Sequence, residues 1–159
     1  KNATCPLVID GDALTIVSKH LDLLKDFKHS VILTPHHGEF KRLCDYEDEL
    51  DMIEKVNQFA LEYEVIAVLK GPNTIITDGK EIYRNITANK AMATAGMGYV
   101  LAGMISSFVG QGYSSKNAAI LGTYIHGSCG DVIAENSYTV IPSKMINLIP
   151  KVMYRIIKE

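Results

Sequence analysis

Val65-Ile66-Ala67-Val68-Leu69-Lys70 is the stretch that decides how this chain folds. An apolar run of this length, rich in β-branched residues and closed by lysine and glycine, reads as a strand buried on both faces. Two earlier runs share its character: Leu7-Val8-Ile9-Asp10 and Ser30-Val31-Ile32-Leu33-Thr34, the second stopped by Pro35. Helical spacing fills Ala13 to Leu24, a helix begins at Glu39 to Leu43, and a longer one covers Asp48 to Tyr63. Apolar strands separated by helices give an α/β fold, a three-layer α/β/α sandwich with a mostly parallel sheet covered on both faces. Beyond Lys70, Thr74-Ile75-Ile76-Thr77 and Glu81-Ile82-Tyr83-Arg84 flank Asp78-Gly79, a dipeptide suited to a tight hairpin turn. Gly98 to Val109 reads as a helix, Ser114 to Asn136 as one or two more, and Pro142 to Ile157 as a final amphipathic helix with Ser143 as its cap.

A length of 159 residues fits a single domain, 1–159. Only six residues precede Leu7, so an early part of the sheet is expected to be missing. The formal net charge of -2 gives no general attraction to nucleic acid or to acidic membranes. No apolar run approaches the roughly 20 residues of a membrane span. The first residues carry no signal-peptide pattern, which suits a cytoplasmic protein. Cys5, Cys44 and Cys129 form no metal or disulfide spacing and read as buried free thiols.

Ligands of open α/β sheets sit beyond the carboxyl ends of the strands. Asp10-Gly11-Asp12 lies at one such end, where Asp12 caps the next helix or Asp10 faces a substrate or a metal-bound water. At a second end, in Thr34-Pro35-His36-His37-Gly38-Glu39, either histidine could donate to a substrate hydroxyl or be merely structural, and Glu39 suits a helix start. Adjacent histidines point in different directions, so no shared metal is expected there. Lys70-Gly71-Pro72-Asn73-Thr74 places a lysine where it could meet a phosphate as a point charge, or simply be solvated.

The fourth feature is Ala93-Thr94-Ala95-Gly96-Met97-Gly98-Tyr99-Val100-Leu101-Ala102-Gly103. Glycines at a helix start let backbone N–H groups approach a phosphate or an oxyanion. Gly127-Ser128-Cys129-Gly130-Asp131, by contrast, reads as small residues for close helix packing rather than as a site.

Taken in order, these runs resemble the ADP- or ATP-dependent NAD(P)H-hydrate dehydratases, the carbohydrate-kinase-like domain of the YjeF family within the ribokinase-like superfamily. Val8 to Leu14, Leu33 to Phe40, Val68 to Gly71, Met92 to Gly103 and Tyr124 to Asp131 carry the resemblance. It implies repair of hydrated nicotinamide cofactor, NAD(P)HX, by phosphorylating the added hydroxyl and then losing phosphate. It also implies ADP or ATP with Mg²⁺ and a homo-oligomer, a tetramer in this family; no residue is singled out as a metal ligand, and protein and phosphate both stay open as the holder of Mg²⁺. On this resemblance Lys70, Gly71, Pro72, Asn73, Thr74 and Gly98 bind the nucleotide. Gly96, Met97 and Gly98 make the anion hole, and His36 touches the hydrated nicotinamide.

Three departures stand out. Tyr99 occupies the place of the family's catalytic aspartate, at a position for both catalysis and substrate binding. A free phenol titrates near ~10, so about one in a thousand is ionised at pH 7. The family's Gly-Asn-Pro-Gly turn is Ala88-Asn89-Lys90-Ala91 here, and family domains are considerably longer. The alternatives are a non-catalytic adenine-nucleotide-binding remnant and a ribokinase-like kinase of a vitamin precursor or sugar.

Overall fold

A computed structural model describes residues 2–158. Five short strands, β1 (Leu7–Ile9), β2 (Val31–Leu33), β3 (Ile66–Leu69), β4 (Ile75–Thr77) and β5 (Ile82–Arg84), form one sheet in the order β1-β2-β3-β4-β5. The first three are parallel, with Ile9 opposite Leu33 and Leu33 opposite Ala67; β4 and β5 add an antiparallel hairpin. The sheet is therefore mixed, its parallel part being the three apolar runs.

Successive strand residues point to opposite faces, and each face has its own core. Ile32, Val68 and Ile76 pack against α5 (Met97–Gly110), α6 (Ser115–Ala134) and α7 (Pro142–Lys158). Val31, Leu33, Ala67, Leu69 and Ile75 pack against α1 (Asp12–Val17), α2 (Asp22–Lys25), α3 (His37–Leu43) and α4 (Glu49–Glu62). This is the expected three-layer sandwich. Each central strand is apolar throughout because it has no solvent face. All of β1, at the sheet edge, is only half-buried.

Several boundaries differ from expectation. Ala13 to Leu24 is two short helices: after Val17 the chain tightens into i→i−3 bonds, Lys19 N–H to Ile16 and His20 N–H to Val17. Asp12 is inside the first turn of α1; the cap position is Gly11, at φ 58 and without a side-chain cap bond. Ser143 is likewise inside α7, which Pro142 opens, as suits a residue with no N–H to leave unpaired. Ser114 to Asn136 is one helix, α6, capped by the Ser114 hydroxyl accepting from Asn117 N–H. The hairpin around Asp78-Gly79 forms, but its turn is wider than read: residues 78–81 link Thr77 to Ile82, with the Asp78 carboxylate accepting from the N–H groups of Lys80 and Glu81. Gly79 has φ 82, and a Cβ there would lie 2.5 Å from the backbone of Leu61. Of the three thiols, only Cys129 is buried; Cys5 is exposed in the segment ahead of β1, and Cys44 is intermediate.

Candidate functional site

Parallel strands bring their carboxyl ends to one edge, and three polar residues meet there. Asp10 follows β1, Thr34 follows β2 and Lys70 follows β3. Asp10 Oδ1 accepts from the Lys70 ammonium at 2.6 Å and from the Thr34 hydroxyl at 2.8 Å. Glu39, from the first turn of α3, lies 3.7 Å from the same ammonium. The side chains of Asp10, Glu39 and Lys70 are 12%, 10% and 20% exposed, so one cation sits between two nearly desolvated carboxylates.

His36 is the N-cap of α3. Its Nδ1 accepts from Glu39 N–H at 3.2 Å, while the Glu39 carboxylate accepts from His36 N–H at 2.8 Å, a reciprocal capping box. In the neutral ring this leaves Nε2 as the donor, on a side chain that is 56% exposed. His37 packs instead on Gly71, where a Cβ would meet its Nε2 at 2.9 Å.

The other side of the site is the start of α5. Gly96 caps it at φ 92, a conformation that favours glycine. The Met97 N–H reaches the Thr94 carbonyl at 3.3 Å, whereas those of Ala95, Gly96, Gly98 and Tyr99 have no acceptor among the described residues. A Cβ on Gly98 would lie 3.3 Å from both Lys70 Nζ and Asp10 Oδ2. Free N–H groups at a helix start and a lysine ammonium therefore converge on one place, the arrangement an anion requires.

A cavity of about 610 Å³ opens there, within the usual size of a ligand pocket. His36, Lys70, Gly71, Pro72, Thr74, Met97 and Gly98 all line it. Asn73 faces a second hollow of about 360 Å³ on the other side of Gly71 and Pro72. Tyr99 contributes its backbone to the turn, but the residue is 77% exposed and lines a groove between α5 and α7 with Met104 and Ile149.

Sequence reading gave no role to His126, though it lies in the Tyr124 to Asp131 run that carries the resemblance, and did not mark Thr123; both line the large cavity from α6. His126 is buried, and burial pushes its imidazole down to about 4, so it is neutral at pH 7. Its signal was present, a polar ring inside an apolar helix, but it is indistinguishable from packing without the fold.

Asp131, read as no part of a site, has a structural task. It accepts from Asn89 Nδ2 at 2.8 Å and from Ala88 N–H at 3.2 Å, fixing the 88–91 turn that walls the cavity. Gly127 and Gly130 give the close approach read from their size, but toward Thr87 and Met92 of that turn. Ala88 has φ 131, in the region favouring glycine. Ala88→Gly is expected to stabilise the fold by about 1 kcal/mol by relieving that strain. Urea unfolding measures it; a loss of stability would show that Ala88 is not strained.

Residues 1–151 match the family model described as NAD(P)H-hydrate dehydratase. The chain is 40% identical over 147 residues to the ADP-dependent (S)-NAD(P)H-hydrate dehydratase of Staphylococcus aureus, covering 92% of this chain and 52% of that protein. It is 35% identical over 164 residues to the bifunctional NAD(P)H-hydrate repair enzyme of Moorella thermoacetica, covering 97% of this chain and 30% of that one. The crystal structure of the ADP/ATP-dependent NAD(P)H-hydrate dehydratase of Bacillus subtilis, co-crystallised with ATP/Mg²⁺, superposes with a TM-score of 0.78 at 29% identity. That match covers 96% of this chain and 56% of the other. The chain thus spans about half the length of these single-activity relatives and less of the bifunctional one. Match and motif order agree: this chain belongs to the NAD(P)H-hydrate dehydratase family.

Proposed function

We propose that this chain carries the nucleotide site of an ADP- or ATP-dependent dehydratase acting on hydrated NADH or NADPH. The observation that carries it is the convergence of the Gly98 turn and the Lys70 ammonium, with Gly98 close enough to Lys70 that a Cβ would sit 3.3 Å from Nζ. Terminal phosphate oxygens would accept from the N–H groups of Gly98 and Tyr99 and face Lys70. Gly71, Pro72 and Thr74 would flank the nucleotide, and His36 Nε2–H would donate to the hydrated nicotinamide. Gly96 and Met97 would complete the anion hole with Gly98, while Asn73 would shape the adjoining loop.

In the reaction, the hydroxyl oxygen of the hydrate would bond to the terminal phosphorus as the bond to the leaving nucleotide breaks, and the hydroxyl proton would pass to water. Phosphate would then depart with the electron pair of its bond to the ring carbon, and the neighbouring carbon would give up a proton to water, its C–H pair becoming the ring double bond. Among the described residues, no group of three or more His, Cys, Asp or Glu side chains is set to hold a metal. Mg²⁺ would enter on the nucleotide's phosphates; Asp10 Oδ1 is engaged by Lys70 and Thr34, while Oδ2 faces Gly98. The family resemblance also carries a cytoplasmic location and a homo-tetramer; no helix among the described residues is long and apolar enough to cross a membrane.

A second reading, nucleotide binding without turnover, is favoured by one observation: α5 has no acidic residue in its first turn, and the Tyr99 side chain lies outside the cavity. Calorimetric titration with ADP, ATP and AMP tests the nucleotide site, and recovery of NADPH from its hydrate tests turnover. Binding of ADP or ATP with recovery of NADPH is expected for the dehydratase. Binding alone supports the second reading, and binding of none of the three defeats both.

A further inference from the structure

His126 belongs to α6, yet its imidazole reaches the start of α5. It is buried, it lines the large cavity, and its Nε2 lies 3.2 Å from the Met97 carbonyl oxygen. A carbonyl only accepts, so the proton of the neutral ring is on Nε2. The Met97 carbonyl and the Gly98 N–H are opposite ends of one planar peptide group, and no peptide bond among the described residues is cis. Holding one end therefore holds the other, and points that N–H the opposite way.

We propose that His126 is a positioning residue for the phosphate-binding turn: its Nε2–H grips the Met97 carbonyl and so aims the Gly98 N–H at the anion that Lys70 also faces. The proposal rests on the nucleotide site described above. The same part of α6 seats the opposite wall. A Cβ at Gly127 would stand 2.7 Å from the Thr87 carbonyl group, Gly130 packs on Met92, and Asp131 bonds the Ala88-Asn89 backbone and side chain. One segment, 126–131, thus sets the spacing of both walls, and His126 is its hydrogen bond to the turn with the free N–H groups.

The test compares wild type, His126→Leu, which removes the donor, and His126→Gln, whose amide can replace it. Inorganic phosphate is titrated while the Gly98 amide is followed by NMR, and ADP and adenosine are titrated by calorimetry. The Gly98 amide is expected to shift with phosphate in wild type and in His126→Gln, and to lose most of that response in His126→Leu. ADP should bind about tenfold more weakly to His126→Leu, the scale of one hydrogen bond, with adenosine unchanged and ADP affinity restored by glutamine. A merely structural role would weaken both ligands together and gain nothing from glutamine. An equal Gly98 response in all three proteins overturns the proposal, as does an unresponsive wild-type Gly98. Imidazole ¹⁵N shifts of the wild type decide it without any variant: an Nδ1–H tautomer overturns it. Failure of ADP to bind wild type while Gly98 still answers phosphate would instead count against the nucleotide reading.

Discussion

Lys70→Met is expected to destabilise the protein by about 3 kcal/mol at neutral pH, and to weaken ADP binding tenfold or more. The stability loss follows from what methionine leaves behind. Asp10 and Glu39 keep their carboxylates, nearly desolvated, with the shared cation gone. Breaking a buried pair by removing one partner is costly because the remaining charge is uncompensated. Methionine fills the aliphatic space, so little of the loss is packing. Urea unfolding of the two proteins at pH 7 measures it; equal stability would mean that Lys70 is not needed to compensate the two carboxylates. The binding loss follows separately: removing the ammonium leaves two carboxylates facing the phosphate.

Why Lys70 matters was half legible in the sequence. Its position at the end of an apolar strand pointed to the ligand edge of the sheet, and the same argument marked Asp10. That the two form one ion pair was not legible. It depends on β2 lying between β1 and β3, which sets Thr34 between their ends, and strand order is a tertiary fact. The layers themselves were readable, because a strand buried on both faces leaves an unbroken apolar run. The break after Val17 was not, since apolar spacing continues through Leu21 and Leu24 while the backbone turns.

The cavity wall shows the same division. The glycines at 96 and 98 mark a turn by their residue type alone, and in the structure the N–H groups of both glycines have no acceptor among the described residues. His126 and Asp131 act on it from a helix whose pattern records only burial. Asp131 also explains how the chain keeps a turn in which alanine stands for glycine: two bonds from one carboxylate hold Ala88 and Asn89 in place.

Tyr99→Asp is expected to raise turnover of hydrated NADPH with ADP by about 10²–10⁴-fold, the ordinary worth of a well-placed general base. The fold should tolerate it. Tyr99 is 77% exposed, so little buried area is lost. Residue 99 is the third of the 14 residues of α5, where a carboxylate is favoured by the helix dipole by about 0.3–1 kcal/mol. The gain should come from basicity and not from removing a bulky ring. Tyr99→Asn makes that distinction, since it is nearly the same size as aspartate and cannot accept the hydroxyl proton. Activity in Tyr99→Asp alone, appearing with a new acid limb in its pH profile, would identify residue 99 as the place from which the base acts. Equal gains in both variants would make the tyrosine ring a steric block and the base another residue. Full turnover by the unaltered chain would show that the reaction does not need a carboxylate at 99, and Asp10, whose Oδ2 faces Gly98, would then be the first residue to replace.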